Sequence, residues 1–450
     1  LIQPDTVVQD EGDLISLFSA SMQSGRSEMS KRTISCDERD TLFARLRLIA
    51  GTREYLEYYH RHPERQEADD ALRECGGLAR LGTAGGWTID QLKEMTARPT
   101  GRIITTLVRV LPPVRDTVSR RAAKRISRIT DRLPIEPRIQ ALLDDSTRTI
   151  EDYAEADRRR TPAAHQVDIP PGRMSAVVKE ASKFYGASLV GITRMENDLS
   201  YTHRSNGEPV SRSFAYSIVY AVEMPRELIN RAPHRETLLA TCNGYVDAAR
   251  VGARLSGFIK SLGYKTSLNS MVKYDVPLVP LAERAGLGQR GRCHFIVTKE
   301  YGNRVRLGAV LTNLPLEADD PSDFGLHEFC RLCGKCATNC PGKAISLERT
   351  GQHEDGPAWT FDEIRCMRMW IEYATDCAIC IASCPFTQGV SAEQIAAMKN
   401  RPGIMKDILR EDRVRHGDRA FIQKEAPIVN WTASNRTSSL SNHLSNDQTD

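Results

Sequence analysis

The chain reads as an α/β (α+β) protein carrying a cysteine-rich segment, and three features of its sequence predict this. Helical and strand-like hydrophobic patterns alternate between residues 175 and 314. The first 165 residues carry helical periodicity between Gly- and Pro-bearing loops. Eight of the 12 cysteines fall between residues 330 and 384. At 450 residues the chain exceeds what one hydrophobic core usually supports. It divides into a mainly helical region over 1–165, an α/β core over 166–325, the cysteine-rich domain over 326–395, and a C-terminal extension with a flexible tail over 396–450. The net charge of +4 is small against 62 basic and 58 acidic residues, so charge does not announce nucleic acid.

In the N-terminal region, "DTLFARLRLIAGTREYLEYY" (40–59) and "TIDQLKEM" (88–95) space apolar residues three and four apart, as amphipathic helices do. The basic stretch "RDTVSRRAAKRISRITDR" (115–132) contains Arg120 and Arg121, but no apolar run follows them; it reads as a solvated helix face, not an export signal. Charge and proline in "EADRRRTPAAHQVDIPPGR" (155–173) predict a linker.

The core then begins with a helix over "SAVVKEASKFYG", stopped by Gly186. Strands follow at "ASLVGIT" (187–193) and "SFAYSIVYAVEM" (213–224). A long helix comes next, its stripe running through Leu238, Cys242, Val246, Ala249, Ala253, Phe258 and Leu262 and ending near Gly263. "HFIVTKEYGNRVRLGAVLTNL" (294–314) predicts a hairpin turning at Gly302 and Asn303. From about residue 427 the Ser-, Asn- and Thr-rich sequence predicts a loosely held tail. No run of 18 apolar residues suggests a membrane span.

"FCRLCGKCATNCPGKAIS" (329–346) sets Cys330, Cys333, Cys336 and Cys340 at C-x2-C-x2-C-x3-C, with a proline after the last. "CMRMWIEYATDCAICIASCPF" repeats C-x2-C-x3-C-P through Cys377, Cys380 and Cys384, with its first cysteine, Cys366, displaced upstream. Close spacing lets one loop present three thiolates around a cubane while the fourth ligates the other cluster. Cys330, Cys333, Cys336 and Cys384 are therefore assigned to one 4Fe-4S cluster, and Cys340, Cys366, Cys377 and Cys380 to a second, in a ferredoxin-like domain. Structural zinc needs neither the third cysteine nor the Cys-Pro ending, and disulfides suit a small secreted scaffold better. Cys36, Cys75, Cys242 and Cys293 are scattered and read as packing residues.

Upstream of the clusters, "DVPLVPLAERAGLGQRGR" (275–292) places Gly286, Leu287, Gly288 and Gly291 where backbone can approach a large planar or anionic ligand. With "GASLVGIT", "SIVYAVEM", "ARLSGFIKSLGY", "YGNRVRLGAVLTNLPLEADDP" and the cysteine runs, the span from about 174 to 390 resembles the corrinoid- and iron-sulfur-dependent reductive dehalogenases. Epoxyqueuosine reductase is a more distant likeness.

The resemblance implies a nitroreductase-like core that holds a base-off cobalamin near the clusters, with Gly286, Leu287, Gly288 and Gly291 as cofactor contacts. The absence of a D-x-H-x-x-G motif agrees with cobalt taking no lower histidine. It further implies an oxidoreductase that removes halogen from a small organohalide, with Tyr245 as proton donor, Arg292 as its basic partner and Asn269 as a substrate or corrinoid contact. Electrons would come from reduced ferredoxin, flavodoxin or a membrane donor; nucleic acid is not expected, and a membrane-associated partner and a homodimer are compatible with the resemblance.

Two other functions are weighed. A tRNA-directed epoxyqueuosine reductase would use Asp275 as its acid, but the "CPGKAI" ending and the tail after 390 argue against it. A plain electron carrier leaves the long α/β region without a role. The compartment stays open between cytoplasm and an exported, membrane-associated form, the second being compatible with a leader removed ahead of Leu1.

Overall fold

The computed structural model describes residues 37–75, 77–80, 137–196, 199–211, 213–271, 273–348 and 359–417. The expected helix at 88–95, the basic stretch 115–132, Cys36 and the tail beyond 427 lie outside the described residues.

The stretch 40–59 folds into helix α1 (Leu42–Arg47) and most of α2 (Arg53–Arg61), separated at Gly51; α3 (Pro63–Glu74) follows directly. Thr41 and Thr52 cap the first two helices by accepting backbone N–H bonds, which fixes where each begins. Helix α4 (Pro137–Arg159) takes in the start of the stretch expected to be a linker. Asp157 within it is buried and accepts from Lys260 Nζ at 2.8 Å and Ser256 Oγ at 2.5 Å, so this segment is docked onto the core. Charge composition alone could not reveal that one of its acids had a buried partner.

Six strands are described: β1 (Leu189–Arg194), β2 (Tyr216–Glu223), β3 (Thr266–Asn269), β4 (Gln289–Arg290), β5 (Ile296–Val297) and β6 (Val305–Thr312). Four form one antiparallel sheet in the order β1-β2-β6-β3, so the helix-and-sheet expectation is met in its α+β sense. Alternate residues of central strand β2 feed opposite cores, which explains its unbroken apolar run. Ile218, Tyr220 and Val222 pack under α5 (Pro171–Phe184) and, past the short α6 (Arg226–Ile229), under the long α7 (Arg235–Ser261). Val219 and Ala221 face α8 (Leu278–Arg284) with Leu281, Ala282 and Leu287.

The sheet-facing core of α7 runs through Ala248, Val251, Leu255 and Ile259. That is beside the expected stripe, of which Ala253, Phe258 and Leu262 are only partly buried. Close approach of helix to sheet depends on Gly252, where an added Cβ would sit 2.2 Å from Tyr220 Oη.

The hairpin expected over 294–314 is corrected. Gly302 does turn the chain, with φ of 58° and a Thr298–Gly302 bridge. Its flanks, however, join different sheets: β5 pairs with β4, while β6 pairs with β2 and β3. Gly302 is pressed against the Thr387 backbone, so tertiary contact rather than strand pairing sets this turn.

The cysteine-rich domain comprises α9 (Leu326–Cys333), α10 (Lys335–Asn339), α11 (Glu363–Tyr373), α12 (Ile379–Ala382) and α13 (Pro385–Gln388), followed by α14 (Ala392–Met398) and α15 (Pro402–His416). Phe329, Phe386, Met398, Met405 and Ile408 build one core between α9, α13, α14 and α15. On the other side Leu42, Leu46 and Leu72 pack against Met367 and Ile371, and buried Arg45 bonds both Asp69 at 2.7 Å and Glu363 at 2.7 Å. The N-terminal helices are thereby fastened to the cysteine-rich domain.

Candidate active site

Cys330 and Cys333 lie at the end of α9, Cys336 in α10, and Gly334 hinges the two helices in the left-handed region at φ 63°. The turn lets consecutive short helices point thiols at one centre. A small cavity bounded by Val297, Phe329 and Phe386 is lined by Cys330, Cys333, Cys336 and Cys384, so the structure brings these four together. Cys340, Cys366, Cys377 and Cys380 gather separately, near enough that each thiolate would disfavour the others. Cys384 thus lies beside the first cysteine run and Cys340 beside the second.

Burial pushes the Cys330 and Cys366 thiols up to about 12 and Cys333 to about 11, so deprotonation here requires a positive partner. Backbone N–H groups of Arg292, Lys335, Ile379 and Phe386 point at Cys330, Cys333, Cys377 and Cys384, and Ala344 N donates to Cys340 Sγ at 3.3 Å. N–H donors to sulfur suit thiolates that carry iron. Among the described residues no three His, Cys, Asp or Glu side chains close on a single ion. A donor set spread around a cavity fits a multinuclear cluster better than one zinc ion.

The glycines of 286–291 have a different setting. Gly286, at φ 76°, would place a Cβ 2.5 Å from Asp320 O, and Gly288 one 2.2 Å from Val297 O. Both serve close contact of the chain with itself. Leu287 packs in the core beneath the sheet. Gly291 borders the first cysteine cavity, its Cβ position 3.8 Å from Cys330 Sγ.

Tyr245 is half-buried on α7, one turn beyond Thr241 and hence on the same face. The cation against it is Arg306, whose guanidinium carbon lies 5.0 Å from the ring centroid. Arg306 sits opposite Val222 in the sheet, donates to Thr241 Oγ1 at 2.7 Å and lies 3.9 Å from Asp376. Its Nε is buried without a hydrogen-bond partner among the described residues. Thr237 and Thr241 both donate to Asp376, the residue preceding Cys377. One helix face thus joins the phenol to the second set of cysteines. Tyr274 lies beside the pair, its phenol pushed well up by burial and then by Tyr245.

Arg292 is placed elsewhere. It is buried, donates to Cys330 O at 2.7 Å, Ser346 O at 3.1 Å and Leu347 O, and stacks 4.4 Å from the Trp359 ring. Asn269 is fully buried with both ends of its amide engaged, Nδ2 donating to Ser267 O at 3.1 Å and Oδ1 accepting from Asp275 N at 2.6 Å. Sequence reasoning missed Arg306; its signal was the second arginine of "RVR" entering a β-strand next to a buried helix.

The model of the 4Fe-4S dicluster domain matches residues 329–388. Over 260 residues the chain is 31% identical to tetrachloroethene reductive dehalogenase of Sulfurospirillum multivorans, covering 49% of this chain and 51% of that one. Reductive dehalogenases are among its relatives. A solved reductive dehalogenase, described as suggesting a mechanism for B12-dependent dehalogenation, superposes with a TM-score of 0.55 at 23% identity, covering 60% of this chain and 41% of that one, a likeness of fold. Epoxyqueuosine reductase of Lactococcus garvieae is 32% identical over 133 residues, covering 28% of this chain and 36% of that one. The present chain spans about half the length of the tetrachloroethene reductive dehalogenase it matches.

Proposed function

We propose that this protein is a reductive dehalogenase: an oxidoreductase that replaces a carbon–halogen bond of an organohalide with carbon–hydrogen, using two 4Fe-4S clusters and a base-off cobalamin. The observation that carries this reading is the placement of the Tyr245–Arg306 pair on the helix face that bonds Asp376 beside Cys377. Reductive removal of halide consumes two electrons and one proton. Cys330, Cys333, Cys336 and Cys384 would hold one cluster, and Cys340, Cys366, Cys377 and Cys380 the other, passing electrons singly from a low-potential protein donor.

When bound, the cobalamin supplies the low-potential metal centre at which the carbon–halogen bond is reduced. The residues beside Tyr245 suit it: a phenol and a guanidinium serve proton and anion, and the nearest histidine in sequence on that side, His234, precedes Tyr245 by about 16 Å of helix axis. Tyr245 gives its proton to the substrate carbon. Arg306 stabilises the phenolate, and its free Nε offers a donor to that anion or to departing halide.

An acid at Asp275 on tRNA is the weaker reading. That carboxylate accepts from Arg204 at 2.8 Å and Ser267 at 2.6 Å. Its pKa is lowered despite burial by Lys273, Ser267 and Arg204, which makes it a poor proton donor. The test is anaerobic purification after growth with cobalamin, followed by iron and cobalt analysis and halide-release assays on chlorinated and brominated ethenes and phenols. Eight irons, one cobalt and halide release support the proposal; zinc in place of iron, or turnover of epoxyqueuosine tRNA without halide release, overturns it.

A further inference from the structure

Arg306 belongs to β6 and Tyr245 to α7, so their meeting depends on how the helix receives the arginine. Two features of α7 decide this, and the first is a hydroxyl. Thr241 is buried, and its Oγ1 gives its single proton to Asp376 Oδ2. Only lone pairs remain on that oxygen, so toward Arg306 it can only accept, and Nη2 donates to it at 2.7 Å. The Asp376 carboxylate is buried too, and Thr237 Oγ1 bonds its other oxygen at 3.0 Å. Thr237, Thr241 and Tyr245 follow at four-residue intervals and share one face of the helix. The donor order along that face runs from Arg306 through Thr241 to Asp376.

The second feature is a gap. Gly244 directly precedes Tyr245, and a Cβ there would sit 2.8 Å from Arg306 Cγ and 3.4 Å from Arg306 Cβ. Those atoms form the root of the side chain, held to the sheet where Arg306 pairs with Val222, and cannot swing clear as the guanidinium could. Glycine inside a helix is unfavourable relative to alanine, and this one lies in the interior of a 27-residue helix. What it provides is room for the aliphatic stem of Arg306. The stem passes Gly244, the head is held by Thr241, and the guanidinium carbon rests 5.0 Å from the Tyr245 ring centroid.

We propose that Thr241 and Gly244 are positioning residues that set the Arg306 guanidinium over the Tyr245 ring, Thr241 by accepting from Nη2 and Gly244 by leaving space for the stem. The inference rests on the reading of Tyr245 and Arg306 as the pair that delivers the proton. Both residues act through Arg306, so their loss weakens the chemical step and leaves substrate binding in place.

The experiment compares Thr241→Val, Thr241→Ser and Gly244→Ala with wild type in two ways. Crystal structures of the full-length chain locate the guanidinium, and halide release from tetrachloroethene and a bromophenol, on protein purified anaerobically with its cofactors, gives kcat and KM. Thr241→Val keeps the shape and deletes the acceptor; Gly244→Ala favours the helix and fills the gap. In both, Arg306 is expected to leave the Tyr245 ring and kcat to fall by about 10-fold with KM little changed. Thr241→Ser restores the hydroxyl and is expected to stay within a few-fold of wild type. In an Arg306→Met background neither Thr241→Val nor Gly244→Ala is expected to lower kcat further, because the group they position is gone. A guanidinium that stays in place in Thr241→Val and Gly244→Ala overturns the proposal, and so does a full further loss in the Arg306→Met background. Should Thr241→Val misfold, Gly244→Ala decides alone. If Tyr245→Phe and Arg306→Met turn over like wild type, the proton-delivery reading fails, and the crystal structures still decide the positioning.

Discussion

Arg306 on β6 lies over the ring of Tyr245 on α7, 5.0 Å from its centroid, and bonds Thr241 one turn earlier on the same helix. A phenol placed beside a fixed cation can release its proton and remain stabilised as an anion. Tyr245→Phe is expected to reduce halide release by about 10²–10⁴-fold with iron and cobalt content unchanged. Turnover within a few-fold of wild type would remove Tyr245 from the mechanism.

Arg306→Met keeps much of the packing against Tyr245 and deletes the charge. Halide release should fall by about 10²-fold with iron and cobalt content unchanged. Steady-state rates on iron-replete protein check this, and turnover within a few-fold of wild type speaks against the pairing.

Arg292→Met is expected to act on stability. Three backbone carbonyls lose a buried charged donor, from Cys330, Ser346 and Leu347. The cost should be about 3 kcal/mol in anaerobic denaturant titration. A variant as stable as wild type but catalytically dead would return Arg292 to the reaction.

Asp69→Ala leaves Arg45 buried with Glu363 as its remaining carboxylate partner. Removing one member of a buried pair costs about 3–5 kcal/mol. Because Arg45 links α1 to α11, the loss is expected to appear together with faster iron release to a chelator; unaltered iron release would show that the N-terminal helices do not support the cysteine domain.

His294 has a pKa lowered from 6.5, chiefly by burial and in part by Arg290, against the opposing Trp359 carbonyl. The unfolded chain therefore takes up this proton before the folded one does. Stability from this group is intact above pH 6.5 and declines as pH falls from there toward the lowered folded value. His294→Asn, which tolerates the left-handed backbone, should flatten that part of the stability curve in denaturation followed from pH 7.5 to 5.5. A variant with the same slope as wild type would show that the titration belongs to another group.

Much of this was legible in the sequence because local spacing carries the information. The exchanged cysteine sets follow from C-x2-C-x2-C-x3-C, and β1, β2 and the long helix from their apolar periods. Asp157, Arg292 and Arg306 were not legible in the same way. Each is a charge whose role is fixed by a partner far away in sequence, Lys260 for the first, the 346–347 carbonyls for the second and Tyr245 for the third. The strand pairing around Gly302 failed for a related reason: its turn is shaped by Thr387, which no pattern within residues 294–314 could reveal.

On the proposed ligand assignment, the swap of Cys340 and Cys384 between loops would make each set hostage to the other. A chain short of iron cannot complete one quartet while the partner loop hangs loose, so occupancy is expected to be all or none. Starved preparations would then contain fully loaded and empty molecules, and few that are half filled.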